Sequence, residues 1–188
     1  MKKHTSIVAI ILFCLITVLL FLSPFKYNEN TNNYELVQEI IIDRPVKQVF
    51  DYLGHSKHAS EWSVFVDHIT PLNPHWHQDG TVGSQRRCFK NKNEKGIFWD
   101  ETILEVIPLQ KRSLSVYNLN GFPISTTDLV THQQYENIGD NMTKLKFGLI
   151  KPNKEVGILE WLKLKMAGYV VSSIFKKNLK GIKRQLER

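Results

Sequence analysis

Cysteine is scarce in this chain, and its scarcity narrows the fold classes that are open to it. Only Cys14 and Cys88 occur among 188 residues, and Cys14 lies inside a long apolar run. Two such residues cannot build a disulfide framework or a cysteine-ligated zinc site. Glycine and proline are also few, at ten and seven, which excludes collagen-like and low-complexity chains. With 42 % hydrophobic residues, the chain is expected to fold around one core.

The body of the chain also lacks an excess of positive charge. The formal net charge is +7, but residues 26–150 hold 13 basic and 15 acidic residues, whereas residues 151–188 hold 10 basic and 3 acidic ones. A nucleic-acid-binding domain needs a basic stripe over its main surface and usually a recognisable reading motif. The sequence therefore predicts no nucleic-acid partner.

A long uncharged segment stands at the N-terminus. Residues 6–25 carry no charge, and twenty helical residues reach about 30 Å, the thickness of the hydrocarbon core of a bilayer. This predicts one transmembrane helix within an N-terminal anchor, residues 1–25. A cleaved signal peptide is the alternative, although Ser23-Pro24-Phe25 lacks the usual small-x-small cleavage pattern. Because Lys2 and Lys3 precede the span, the expected protein is a single-pass membrane protein with a cytoplasmic N-terminus and an extracytoplasmic domain.

Residues 26–33 contain four asparagines and no periodicity, so they are interpreted as a polar tether before a domain at residues 34–188. An apolar strand is predicted at residues 36–43, followed by a helix from Val46 to about Gly54. A second short helix or turn is expected at residues 55–61. Alternation and turn residues then predict six strands in an antiparallel meander: residues 64–72, 82–90, 97–107, 113–119, 124–135 and 142–150.

A long C-terminal helix is predicted at residues 155–187. Apolar residues recur three or four positions apart, which draws one stripe along the helix to pack on the sheet. The stripe consists of Trp161, Leu164, Gly168, Val171, Phe175, Leu179, Ile182 and Leu186. The basic residues of its second half have two interpretations, a solvated face or a contact with anionic lipid. They are Lys176, Lys177, Lys180, Lys183 and Arg184.

Several short motifs, in this order and spacing, resemble those of a known superfamily. They are Ile42-x-Arg44-Pro45, Val49-Phe50-x-Tyr52-Leu53, Glu61-Trp62-Ser63, Gly80-x-x-Gly83, Trp99-Asp100-Glu101-x-Ile103-x-Glu105 with Pro108, Thr143-x-Leu145-x-Phe147, and Leu179-x-x-Ile182-Lys183-x-x-x-Glu187. The chain resembles the SRPBCC superfamily over residues 36–187, in particular its polyketide cyclase/dehydrase and lipid-transport branch, which is related to START domains.

The resemblance implies an α+β helix-grip fold, in which a curved antiparallel sheet of about seven strands wraps around the C-terminal helix. It also implies a deep pocket between sheet and helix for an apolar small molecule. It implies no particular reaction, because the superfamily shares no catalytic motif.

Inward-facing positions of the predicted elements supply the candidate pocket residues. They are Arg87, Phe89, Trp99, Glu101, Tyr117, Leu145, Phe147, Trp161, Leu164, Gly168, Val171 and Phe175. Arg86 and Arg87 lie on opposite faces of one strand, as do Asp100 and Glu101 on another, so one member of each pair faces the interior. If these are Arg87 and Glu101, they form an ion pair at the pocket, or Glu101 acts as a general base.

Metal and catalytic signals are weak. His75 and His77 would need a third ligand such as His68 or Asp79, and the surrounding turn residues indicate an exposed loop. His132 is expected on an edge or an outer face, and Cys88 is interpreted as a small buried residue. The sequence therefore predicts no metal, no cofactor and no catalytic residue.

The functional hypothesis is a membrane-anchored binding domain for a hydrophobic small molecule or lipid. One alternative is a cyclase- or dehydratase-type enzyme that acts on an apolar substrate in the same pocket. The other is a protein-interaction module whose core is filled by its own side chains. The identity of the ligand and the oligomeric state stay open.

Overall fold

The structure is a computed structural model, and it describes residues 2–122, 126–152 and 156–188, without the side chains of residues 2–6 and 9. Eight strands, four α-helices and one short 3-10 turn (Ser56–His58) follow each other along this part of the chain. The helices are α1 (Lys2–Leu22), α2 (Val46–Gly54), α3 (Ala59–Trp62) and α4 (Ile158–Leu186). The strands are β1 (Lys26–Asn28), β2 (Asn33–Ile42), β3 (His68–Pro71), β4 (Gln85–Phe89), β5 (Phe98–Ile107), β6 (Lys111–Asn120), β7 (Leu129–Gly139) and β8 (Met142–Pro152).

All eight strands form one antiparallel sheet in the order β1-β2-β8-β7-β6-β5-β4-β3. From β3 to β8 each strand pairs with the next one in sequence, so the predicted meander is confirmed. The count of about seven strands is corrected to eight, because residues interpreted as a tether form β1, with Lys26 opposite Glu35 of β2. The predicted start of one strand at residue 124 and of the last helix at residue 155 lie outside the described residues.

Helix α4 covers one face of the sheet, as the helix-grip fold requires. Its second half carries Leu179, Ile182 and Leu186 into a buried core that also contains Leu145 of β8 and Val49 of α2. Pro45 precedes α2 and presets its backbone for the first turn, so the chain passes from β2 directly into a helix that closes this end of the sheet. Nearer the start of α4, the helix and the sheet are separated by a cavity.

The segment that joins α1 to β1 is buried against α4. Ser23 and Phe25 are 0 % and 1 % exposed, and Ser23 Oγ donates a hydrogen bond to the carbonyl oxygen of Lys165 at 2.7 Å. Gly168 makes this approach possible, because a Cβ there would lie 2.9 Å from Cβ of Phe25. The last turn of α1 is held as well, since Tyr169 Oη donates to the carbonyl oxygen of Leu19 at 2.6 Å.

The prediction of a membrane span is corrected. Within the described part of the chain, no helix combines the length and the apolar content needed to cross a membrane. The predicted transmembrane helix, and with it the single-pass topology with an extracytoplasmic domain, is therefore wrong. The sequence interpretation considered only the uncharged run, whereas the structure fixes the end of α1 and the following residues to α4.

Candidate functional site

A cavity of about 250 Å³ lies between the inner face of the sheet and α4. Its walls come from β4 to β8, from α3 and the residues that follow it, and from the middle of α4. Most of the lining is apolar and aromatic, including Trp62, Phe65, Leu114, Val116, Phe147 and Phe175. Concave, largely apolar sites with a few fixed polar groups are the usual binding sites for small molecules.

One ion pair lies in the wall of this cavity. Arg86 Nε and Nη2 each lie 2.8 Å from Oε2 of Glu101, and Trp99 Nε1 donates to Oε1 of the same carboxylate at 2.8 Å. The side chains of Arg86 and Glu101 are only 13 % and 12 % exposed. Burial alone would lower the pKa of Arg86, but the charge of Glu101 outweighs it and holds that pKa above its usual range. Arg86 therefore stays charged in the wall beside the carboxyl group of Glu101.

The strand register decides which arginine pairs with which carboxylate, and the cavity wall contains Arg86 and Glu101. Arg86 lies opposite Glu101 and Arg87 lies opposite Asp100, so the expected pairing of Arg87 with Glu101 is corrected. Arg87 and Asp100 form the equivalent pair on the outer face, with Nε and Oδ1 2.7 Å apart. Burial raises the pKa of Asp100, but the hydrogen bonds from Arg87 and Asn118 outweigh this and lower it.

Cys88 is buried beside the inner ion pair. Its pKa is raised well above the usual value, first because burial disfavours the thiolate and then because of the charge of Glu101. Since the thiolate is the reactive form of cysteine, this environment suppresses nucleophilic chemistry.

Half of the candidate pocket residues lie in the cavity wall. These are Trp99, Glu101, Phe147, Leu164, Val171 and Phe175. The others lie elsewhere. Phe89 stacks on His68 with ring centroids 4.9 Å apart, and Tyr117 is exposed and accepts a hydrogen bond from Thr102 Oγ1 at 3.1 Å.

The three remaining candidates belong to other contacts. Leu145 is fully buried in the core under α2. Trp161 is half-buried, with Lys165 Nζ 5.8 Å from its ring centroid. Gly168 faces Phe25 instead of the cavity. These residues follow the periodicity of their strand or helix, but they lie beyond the ends of the cavity or on another face of the element.

Several polar wall residues were missed by the sequence interpretation, among them Gln133 of β7 and Asn178 of α4. Asn178 is 7 % exposed, and its Oδ1 accepts a hydrogen bond from the backbone N–H of Val64 at 2.9 Å. Gln133 Oε1 accepts hydrogen bonds from Tyr135 Oη and from Nη1 of the buried Arg112. Alternation could have indicated Gln133, since it shares a face with the buried Tyr135.

His132 is only 7 % exposed, lies in an interior strand of the sheet and borders the cavity, so the predicted edge position is corrected. Its ring occupies the space above Gly148, where a Cβ would lie 2.2 Å from Nε2. Burial lowers the pKa of His132, and the charge of Lys111 lowers it further.

The basic residues at the end of α4 are not equivalent. Lys176, Lys177, Lys180 and Arg184 are exposed, whereas Lys183 donates to the carbonyl oxygen of Ile41 at 2.8 Å and pairs with Glu187. Contact of these residues with anionic lipid stays a prediction.

Within the described ranges, no cluster of three or more His, Cys, Asp or Glu side chains is arranged to hold a metal ion. The ring of His77 packs on Gly83, and Asp79 accepts a hydrogen bond from the backbone N–H of Ser56 at 2.9 Å. His68 lies between Asp67 and Glu94, at 2.8 and 3.3 Å.

A family model described as polyketide cyclase / dehydrase and lipid transport matches residues 34–187. No curated protein gives a significant match.

Solved structures with the same fold come from several bacteria. A START superfamily protein from Mycobacterium smegmatis is 14 % identical, with a TM-score of 0.59 over 81 % of this chain and 98 % of its own. The protein XoxI from Bacillus cereus is 17 % identical, with a TM-score of 0.58 over 82 % of this chain and 98 % of its own. A protein from Nitrosospira multiformis is 13 % identical, with a TM-score of 0.60 over 80 % of this chain and 94 % of its own. At these identities the similarity establishes the fold alone.

Proposed function

Because the chain belongs to the polyketide cyclase/dehydrase and lipid transport family, we propose that its helix-grip domain binds an apolar small molecule between the sheet and α4. The observation that carries this proposal is the cavity of about 250 Å³ and its mostly apolar lining. A molecule of that size would exchange water contacts for contacts with aromatic and aliphatic side chains, which is favourable by about 25 cal/mol per Å² of apolar surface.

The state of Glu101 favours binding over catalysis. A general base must offer a free lone pair to the proton that it removes. Three of the roughly four lone-pair sites of the Glu101 carboxylate are already used, two by Arg86 and one by Trp99. We therefore assign this pair to shaping the polar part of the wall rather than to a cyclase- or dehydratase-type reaction.

The open space also favours binding over a self-filled core. A pure interaction module would be expected to pack its interior to the density of an organic crystal, without a void of this size. Here Ala167 and Val171 present short side chains to the space between α4 and the sheet.

The test is a titration of the full-length protein with N-phenylnaphthylamine, a neutral fluorophore whose emission rises in apolar surroundings. We expect saturable binding at one site. Ala167→Leu fills part of the cavity and should weaken binding about tenfold, because lost ligand contact worth about 1.4 kcal/mol lowers the affinity by that factor. Ser173→Leu is the matched control, because Ser173 is exposed on the same helix. Absence of saturable binding, or equal affinity of the two variants, would contradict the proposal.

A further inference from the structure

Two side-chain amides in the cavity wall have unused hydrogen-bond donors. Gln133 and Asn178 line the cavity from the sheet and from α4, and the acceptor oxygen of each amide is occupied by a protein donor. Their amide nitrogens have no acceptor among the described residues. Each amide nitrogen carries two N–H groups, so both walls offer unused donors.

The orientation of both amides follows from their partners. Arginine and the backbone N–H groups can only donate, so the atom that faces them must be the amide oxygen. Arg112 Nη1 lies 3.4 Å from Oε1 of Gln133, and the backbone nitrogen of Val64 lies 2.9 Å from Oδ1 of Asn178. The NH₂ group of each amide is therefore the end that is free to meet a ligand.

The two donors lie on facing walls of the same part of the cavity. Gln133 is directly opposite Phe147 in the β7–β8 register. The ring of Phe147 contacts the ring of Phe175 on α4 with centroids 5.8 Å apart, and Asn178 follows Phe175 by one helical turn. A ligand lying against Phe147 thus has the amide nitrogens within reach from both sides.

The charged wall residues add further donors. Arg86 uses Nε and Nη2 on Glu101 and has five N–H groups in all. Glu101 accepts two hydrogen bonds from Arg86 and one from Trp99, so most of its acceptor capacity is used within the wall. Behind Gln133, the guanidinium of Arg112 is 4 % exposed and contacts Tyr135 and the ring of Phe50, without an ion-pair partner among the described residues.

We propose that the ligand of this cavity is an apolar molecule with an acceptor oxygen, a carbonyl or a carboxylate, which receives hydrogen bonds from the side-chain amides of Gln133 and Asn178. This inference rests on the proposed function and names the chemical class of the ligand. An oxygen acceptor can receive hydrogen bonds from these amide donors, whereas a hydrocarbon cannot.

The test compares three naphthalenes of similar shape in displacement of N-phenylnaphthylamine: naphthyl methyl ketone, ethylnaphthalene and naphthoate. We expect the ketone to bind roughly tenfold more tightly than ethylnaphthalene. The naphthoate titration distinguishes a neutral from an ionised acceptor. Preference of either oxygen compound over ethylnaphthalene supports the proposal.

Two variants assign the preference to the amides. Gln133→Glu and Asn178→Asp keep the oxygen that faces Arg112 or Val64 and replace the NH₂ group, so the ratio of ketone to ethylnaphthalene affinity should fall roughly fivefold in each. Gln134→Glu makes the same change on the exposed face of β7 and should leave that ratio unchanged. The ratio corrects for a general loss of stability, because both probes use the same cavity.

The outcomes separate the two proposals. If N-phenylnaphthylamine fails to bind, the proposed function fails and this inference fails with it. If it binds but ethylnaphthalene displaces it as well as both oxygen compounds do, the cavity is a binding site and only the acceptor inference is overturned. An unchanged affinity ratio in both Gln133→Glu and Asn178→Asp overturns it too.

Discussion

Removing the negative charge of the inner ion pair should destabilise the protein much more than the same change in the outer pair. The two pairs lie side by side on β4 and β5, and they differ in how well water reaches the arginine. Glu101→Gln leaves Arg86, whose side chain is 13 % exposed, without a counter-charge. Asp100→Asn leaves Arg87, whose side chain is 32 % exposed and is therefore partly solvated.

The expected magnitudes follow from these exposures. Breaking a buried ion pair by removing one partner costs about 3–5 kcal/mol, because the remaining charge stays buried and unpaired. We therefore expect Glu101→Gln to lower the free energy of unfolding by about 3 kcal/mol, and Asp100→Asn to lower it by about 1–2 kcal/mol. The double variant Arg86→Met/Glu101→Gln removes both charges and keeps an oxygen for Trp99, so it should recover most of the loss.

The assay is urea unfolding of the protein, followed by circular dichroism. It is applied to Glu101→Gln, Asp100→Asn, Arg86→Met and the double variant Arg86→Met/Glu101→Gln. A coupling energy of about 2 kcal/mol between Arg86 and Glu101 is expected from the cycle. Equal losses in Glu101→Gln and Asp100→Asn would refute the assignment of the two faces. If the double variant loses as much free energy of unfolding as Arg86→Met and Glu101→Gln together, the claim that the buried unpaired charge causes the cost is refuted.

Two further predictions concern the sheet and the α3–α4 contact. Because burial lowers the native pKa of His132 below its usual value of 6.5, the unfolded chain binds more protons between the two values, and stability should fall as the pH drops through about 6.5. NMR titration of the imidazole should give a pKa below 6.5, and in His132→Gln this part of the stability loss should disappear; an unshifted pKa would contradict the burial argument. Gly181→Ala places a methyl group 2.3 Å from the backbone oxygen of Trp62, so it should lower the free energy of unfolding by about 2 kcal/mol, whereas Gly157→Ala meets no atom within 4 Å and serves as the control. Thermal unfolding gives the midpoint of each glycine variant. Equal midpoints for Gly181→Ala and Gly157→Ala would show that the α3–α4 contact does not depend on Gly181.

Much of the fold could be predicted from the sequence, because the relevant signals are local. The alternation in 142–150 and the three- and four-residue spacing from Leu164 to Leu186 each describe one element and its buried face. The same signals indicated the order of the elements, and the family resemblance then supplied the wrapping of the sheet around the C-terminal helix. The three-residue strand β1 was missed, because its polar sequence has no buried face to produce a pattern and pairing with β2 alone holds it.

The candidate site was harder to predict than the fold, because it depends on contacts between residues that are distant in the sequence. Alternation shows that one of Arg86 and Arg87 faces inward, but either choice satisfies the pattern, and the elements that enclose the cavity make the selection. Gly168 lies on the correct stripe of α4, yet the side that it presents is filled by Phe25, which is 143 positions away in the sequence (168 − 25).

The sequence by itself determined the α+β class, the meander and the long C-terminal helix, because periodicity along a strand or helix is fixed by neighbouring residues. Only the tertiary structure decided where the cavity lies, which ion pair borders it, and that Gln133 and Asn178 keep free amide donors there. The physical reason is that a cavity and an unused donor are defined by what all surrounding elements leave unfilled, and no single segment of the chain contains that information.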